Sequence, residues 1–206
     1  MDIARAFTFV FDEDRYVEKL AIGTGLVLAS FLLSFVLVGF LGFFILAGYS
    51  VRLLRNVQAK KTQVLPEWND WGGDLGRGFK LMAIGFIWSL PALILAIPMV
   101  IGGMMTGGNE VAQIFGAGLL ICVGLLAFAY GLFVVLITPA YTIAFAQDER
   151  IASGLQLTEI WRWTRDNIGQ VIVVGIVVVL GSMAISVLAS VVGSVLCFVG
   201  LIVTVP

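Results

Sequence analysis

Four stretches of the chain carry no Asp, Glu, Lys or Arg: residues 20–51, 81–109, 111–147 and 167–206. Each is longer than the roughly 20 apolar residues that cross a hydrocarbon core of about 30 Å. A single helix over residues 20–48 would measure roughly 43 Å, at about 1.5 Å per residue. To fit the core it would need a tilt of about 45°, more than membrane helices ordinarily show. A break is therefore expected in that stretch, with Gly39 and Gly42 as places for it. Residues 167–206 would make a helix of roughly 60 Å, so two helices with a turn near residues 190–194 are expected there. The pattern predicts an all-α, polytopic transmembrane bundle of six helices. They form three repeated hairpins, each preceded by a short interfacial amphipathic segment. One transmembrane domain covers residues 1–206, with repeat units of approximately 1–58, 59–150 and 151–206.

The charges orient this arrangement, because Lys and Arg collect in cytoplasmic loops and are scarce in outside ones. All twelve lie in the segments 1–19, 52–80 and 148–166, which hold three, six and three of them. If each apolar stretch is a hairpin or half of one, those segments share the cytoplasmic side, and the far side keeps a single charge, Glu110. A single span over residues 20–51 would instead leave Arg5, Arg15 and Lys19 outside. Both termini are therefore expected in the cytoplasm. Composition agrees with a lipid solvent: 60% of residues are hydrophobic and 12% charged, against about 25% charged in soluble domains. The first apolar run starts at Leu20 and is too long for the core of a cleaved signal peptide.

The charged segments repeat an order of features. The stretch LPEWNDWGGDLGRGFKLMAIGF, from Leu65, resembles LTEIWRWTRDNIGQVIVVGIVV, from Leu157, with Trp68 and Trp71 falling where Trp161 and Trp163 fall. These four tryptophans are the candidate interfacial anchors, since an indole suits the headgroup level better than either water or hydrocarbon. Ser153 and Gln156 have the spacing of a capping box that would start a helix at Gly154. Leu157, Ile160, Trp161, Thr164 and Ile168 then share one helical face. Pro91, Pro98 and Pro139 interrupt apolar helices, where Ser and Thr side chains or neighbouring helices satisfy the freed carbonyls. Gly116, Gly118, Gly124 and Gly131 suit close helix packing. Cys122 and Cys197 lie inside apolar runs and are expected to be inert.

The order GYSVRLLR from Gly48, LPEWNDWG from Leu65 and GFK from Gly78 resembles a prokaryotic integral membrane family, domain of unknown function 4013. The likeness extends over nearly the whole chain, through TPAYTIAFA to the closing CFVGLIVTVP. It implies a fold and a multi-pass protein of a prokaryotic plasma membrane, and it implies no activity. More distantly the layout resembles the membrane portion of some glycerophosphodiester phosphodiesterases, whose catalytic domain has no counterpart in these residues. Relatives continue past the final proline. By the hairpin arithmetic the sixth helix is unfinished at Pro206, so the natural C-terminus is expected further on.

Functional chemistry is sparse. There is no histidine, hence no ordinary general base, imidazole metal ligand or proton shuttle. The predicted spans hold no ionisable acid or base of the kind that proton relays place at membrane depth. No catalytic residue, metal site or cofactor is expected, and no nucleic acid partner. The acidic runs Asp12, Glu13, Asp14 and Asp148, Glu149 read as solvated helix ends. The expected function is that of a non-enzymatic accessory or scaffolding subunit of a membrane assembly, whose partners are membrane lipids and other membrane subunits. A pore or carrier for a neutral or hydrophobic solute or lipid is the alternative. The topology is testable with single cysteines in a cysteine-free background. An impermeant reagent should label position 109 in intact cells and leave positions 61 and 156 protected; the reverse pattern contradicts the orientation.

Overall fold

The computed structural model describes residues 15–33, 39–61 and 63–204. Among these the chain is all-helical, without strands. Its six helices are α1 (Tyr16–Leu32), α2 (Gly39–Gln58), α3 (Trp71–Met105), α4 (Glu110–Asp148), α5 (Leu157–Asp166) and α6 (Ile168–Thr204), with a 3-10 turn at Ser153–Leu155. The run Asp12, Glu13, Asp14, residues 34–38, the Cys197 side chain and Pro206 lie outside the described residues. Helices α2, α3 and α4 are each long and apolar enough to cross a membrane, and the bent pair of α5 with the start of α6 would add a fourth span. The chain divides into two compact units, Met1–Arg162 and Trp163–Pro206.

In the first unit, residues 20–51 are divided between two helices as expected, with Gly39 opening the second. Helix α3 starts at its N-cap Asp70, whose side chain accepts from the Gly73 N–H, and runs for 35 residues through Pro91 and Pro98. Pro91 leaves the Ile87 carbonyl without its usual donor. On either side of that carbonyl, the Ser89 hydroxyl donates to the Phe86 carbonyl at 2.7 Å and the Tyr130 hydroxyl to that of Trp88 at 2.7 Å. A tight turn ends at Asn109, which caps α4 by accepting from the Ala112 N–H at 2.9 Å.

The helices meet where side chains are missing. A Cβ on Gly48 would lie 1.8 Å from the Asp74 carbonyl oxygen, and one on Gly78 would lie 1.7 Å from that of Phe44. Phe44 and Gly48 are one helical turn apart on α2, as are Asp74 and Gly78 on α3, so the two backbones touch through a reciprocal pair of glycines. At the far end of α3, Gly116 meets the Gly102 carbonyl in the same way, at 2.7 Å. Gly118, Gly124 and Gly131 do not pack closely: a Cβ on any of them meets nothing within 4 Å. They lie on faces of α4 turned away from its neighbours.

Burial is concentrated at one end of this unit. Val51, Ile84, Ile137 and Phe145 are fully buried, with Ala140, Tyr141 and Ala146 beside them. Large apolar side chains between Phe86 and Met104 and between Val111 and Val135 are exposed, as lipid-facing residues are. Helix α4 has 39 residues, roughly 58 Å at about 1.5 Å per residue, well beyond one bilayer core. Its last three turns form the protein core, which accounts for an apolar sequence longer than a span.

The second unit corrects one expectation. No turn occurs at residues 190–194; α6 is one helix of 37 residues, and the third hairpin is not formed. The six helices of the described residues are thus five apolar ones and the short α5. Serine does not oblige a chain to turn. The Ser190 hydroxyl donates to the Ser186 carbonyl at 2.8 Å and that of Ser182 to Val178 at 2.7 Å, so both are satisfied within the helix. No proline lies between Ile168 and Thr204 to break it.

Gly48→Ala and Gly78→Ala each place a methyl group against backbone that cannot rotate away. Each should cost about 2 kcal/mol or more in detergent unfolding, at the upper part of the range for overpacked cores. Gly76→Ala, in the same helix, meets nothing within 4 Å. It should be stabilising by about 0.5–1 kcal/mol.

Candidate functional site

Residues 63–70 form no helix, so their backbone carbonyls need partners from elsewhere. Four consecutive ones find them in side chains. Asn56 Nδ2 donates to the Val64 carbonyl at 3.0 Å, Lys19 Nζ to that of Leu65 at 2.8 Å, Tyr49 Oη to that of Pro66 at 3.1 Å, and an Arg52 amino group to that of Glu67 at 2.9 Å. Tyr49, Arg52 and Asn56 are three, four and seven residues apart, so one face of α2 holds the segment. Lys19, from the first turn of α1, is buried and also pairs with Glu67 at 3.0 Å.

Behind this segment sits Asp74, 1% exposed. One of its oxygens pairs with Arg52 at 2.5 Å and the other with Arg77 at 2.9 Å. Arg77 also binds Asp70. That hydrogen bond holds the Asp70 carboxyl below its usual range. The stabilisation it lends is present above the ordinary carboxyl range and is lost as pH falls through the lowered value. Arg52 further donates to the Asn69 side chain at 3.3 Å, so one guanidinium ties α2, the segment and α3 together. On the neighbouring side Arg55 pairs with Glu149, which caps α4 in a left-handed conformation (φ 57°), and Lys80 reaches the Glu149 carbonyl at 3.4 Å. The charged segments at 15–19, 52–80 and 148–155 are thereby gathered at one end of the first unit.

An aromatic cluster adjoins this end. Trp88 Nε1 donates to the Gly154 carbonyl at 2.9 Å, and Phe133 lies between Trp88, Tyr130 and Trp161 at centroid distances of 6.2, 5.9 and 5.8 Å. A Cβ on Gly154 would come within 2.6 Å of the Ile84 side chain, so a larger residue there would have to displace Ile84. The expected capping box is not formed. Ser153 donates to Asp148 at 2.5 Å, and α5 starts at Leu157 with its first bond from Ile160 N to the Gln156 carbonyl at 3.0 Å. Residues 153–155 form a 3-10 turn instead, and Gln156, at φ −76° and ψ 81°, is not helical, so it cannot serve as the third residue of a helix capped by Ser153.

The four tryptophans have different surroundings. Trp161 and Trp71 are exposed, at 47% and 43%, the latter as the first residue of α3. Trp163 is half-buried. Trp68 is half-buried too, stacked on Tyr49 at 4.1 Å, with its Nε1 donating to the Lys19 carbonyl at 3.0 Å. On α5, Ile160 and Thr164 are buried while Leu157 and Trp161 are exposed; Ile168, also exposed, falls beyond it as the first residue of α6. Sequence reasoning did not find the Asp74 ion group or the role of Lys19, because residues 1–19 and 52–80 were read only for which side of the membrane their charges mark. The order of Gly48, Tyr49, Arg52, Leu65, Pro66, Trp68 and Gly78 was the available signal.

Of those residues, Tyr49, Arg52, Leu65, Pro66 and Trp68 take part in holding the segment, and Gly48 and Gly78 form the α2–α3 contact. A family model described as "Protein of unknown function (DUF4013)" matches residues 31–198. The chain belongs to this family. The match takes in the α2–α3 glycine contact, the strapped segment and the aromatic cluster. No curated protein and no solved structure matches the chain. Among the described residues no group of three or more His, Cys, Asp or Glu is placed to hold a metal ion.

Asp74→Ala leaves two guanidinium groups facing a site with no carboxylate. It should lower unfolding stability by about 3 kcal/mol, as expected for breaking a buried ion pair. Arg15→Ala removes an exposed pair with Glu18, both side chains more than half exposed, and should change stability by less than about 1 kcal/mol. Equal effects in the two variants would contradict a structural role for Asp74.

Proposed function

We propose that this DUF4013 protein is a non-enzymatic scaffolding subunit of a membrane assembly, with its charged end and N-terminus facing the cytoplasm. The observation that carries this reading is how the polar groups are used. In the spans, the hydroxyls of Ser30, Ser89, Thr138 and Ser182 each donate to a carbonyl of their own helix, so they do not converge on a solute. At the charged end, Lys19, Tyr49, Arg52, Asn56 and Asp74 bind the protein's own backbone or one another. These are the requirements of a rigid platform. A carrier needs polar groups meeting at mid-membrane, and a catalyst needs a titratable group open to substrate. The exposed apolar faces of α3 and α4 supply area for lipid and for partner helices, and the pinned end offers a surface of fixed shape. The six-span argument for a cytoplasmic C-terminus rested on a turn that α6 replaces, so the orientation proposed covers the first unit.

Purification from the native membrane in mild detergent, followed by mass spectrometry, tests the assembly. Stoichiometric membrane partners that survive in the wild type and are lost in Asp74→Ala are expected. A protein that purifies alone and moves a neutral solute or lipid in liposomes overturns the reading in favour of a carrier.

A further inference from the structure

We propose that the cleft at the end of α2 binds the phosphate-bearing headgroup of an anionic phospholipid, independently of any scaffolding role. The cleft has a volume of about 450 Å³ and lies between the last turns of α2 and the strapped segment. That volume is within the roughly 300–1,000 Å³ of small-ligand sites. Its lining carries three cations, Arg52, Arg55 and Lys61, and one carboxylate, Glu67, which is already paired with Lys19. Asn56 and Asn69 complete a polar wall. Residues 52–66 contain four cations and no acid; Arg52 is held by Asp74 and Arg55 by Glu149, which leaves Lys60 and Lys61 as the cations of this stretch without an acidic partner among the described residues. An anionic oxygen is the ligand this lining favours.

Depth selects the source of that oxygen. Val51 is the last residue of the apolar run on α2, and Arg52, Arg55 and Asn56 follow within about 8 Å along the axis. One interfacial layer of a bilayer is about 5–8 Å thick, so these groups stand at the level of lipid phosphates. Val57 is 50% exposed among the cations, an apolar residue suited to the headgroup boundary and poorly suited to water. Lys61 is brought over the cleft by the turn that ends α2. Its N–H bonds back to the Asn56 carbonyl at 3.1 Å while Lys60 takes a left-handed conformation at φ 50°, the pattern of a Schellman cap.

The test uses the full chain in nanodiscs of equal phosphatidylglycerol and phosphatidylcholine, ejected for native mass spectrometry. Wild type should retain phosphatidylglycerol preferentially. Lys61→Glu, at an exposed position, and Arg55→Gln should each reduce that preference about fivefold, the effect of one interfacial cation. Arg165→Glu, on α5, should leave it unchanged, and circular dichroism should show equal helix in all variants. Equal retention of both lipids overturns the proposal, as does a preference that Lys61→Glu leaves intact. Loss of the preference on adding millimolar inorganic phosphate would assign the cleft to a soluble phosphate and likewise overturn the lipid reading.

Discussion

Carbonyl groups removed from water must be paired, and at a membrane boundary this requirement is severe because lipid supplies no donors. In this protein it falls on four consecutive carbonyls, 64–67, in a segment with no helix to satisfy them. Each is taken by a different side chain: Asn56, Lys19, Tyr49 and Arg52. Three of these lie on one face of α2 and the fourth opens α1. The position of the segment therefore sets the positions of both helices. Proline at 66 fits this arrangement, since it has no N–H to leave unpaired.

The ion group around Asp74 and the glycine contact beneath it follow from the same closure. Arg52 can bind the Glu67 carbonyl and Asp74 together only if α2 and α3 approach closely, and Gly48 and Gly78 permit that approach. A buried carboxylate between two guanidiniums is weak evidence for net stability, since the desolvation of the charges offsets much of their attraction. What it contributes is register. A slip of one residue along either helix would leave a charge without a partner and drive a Cα hydrogen's neighbour into backbone, so one alignment is selected.

The same construction explains why the core is at one end. Helices that face lipid along most of their length gain little from burying apolar side chains against each other. Where the chain leaves the bilayer, burial from water becomes favourable again, and Ile84, Ile137, Phe145 and Ile160 fill that region.

Helical class, the number of charged segments and their gathering at one side were legible in residues 20–51, 81–109 and 111–147, because span length and the placement of Lys and Arg are local properties that lipid imposes directly. The division of residues 20–51 was likewise forced by length. The turn expected at residues 190–194 was not, since Ser and Gly permit a turn without requiring it and Ser190 is satisfied inside the helix. The family likeness was visible as an order of residues, Gly48, Tyr49, Arg52, Pro66, Trp68, Gly78, without its reason. Only the tertiary structure decided that Trp68 stacks on Tyr49, that Lys19 is buried 46 positions from the carbonyl it serves, and that Asp74 lies between two arginines. Those pairings join residues far apart in the chain. Whether a charge at a helix end is solvated or enclosed depends on what folds over it, which no local pattern of hydrophobic and polar positions records.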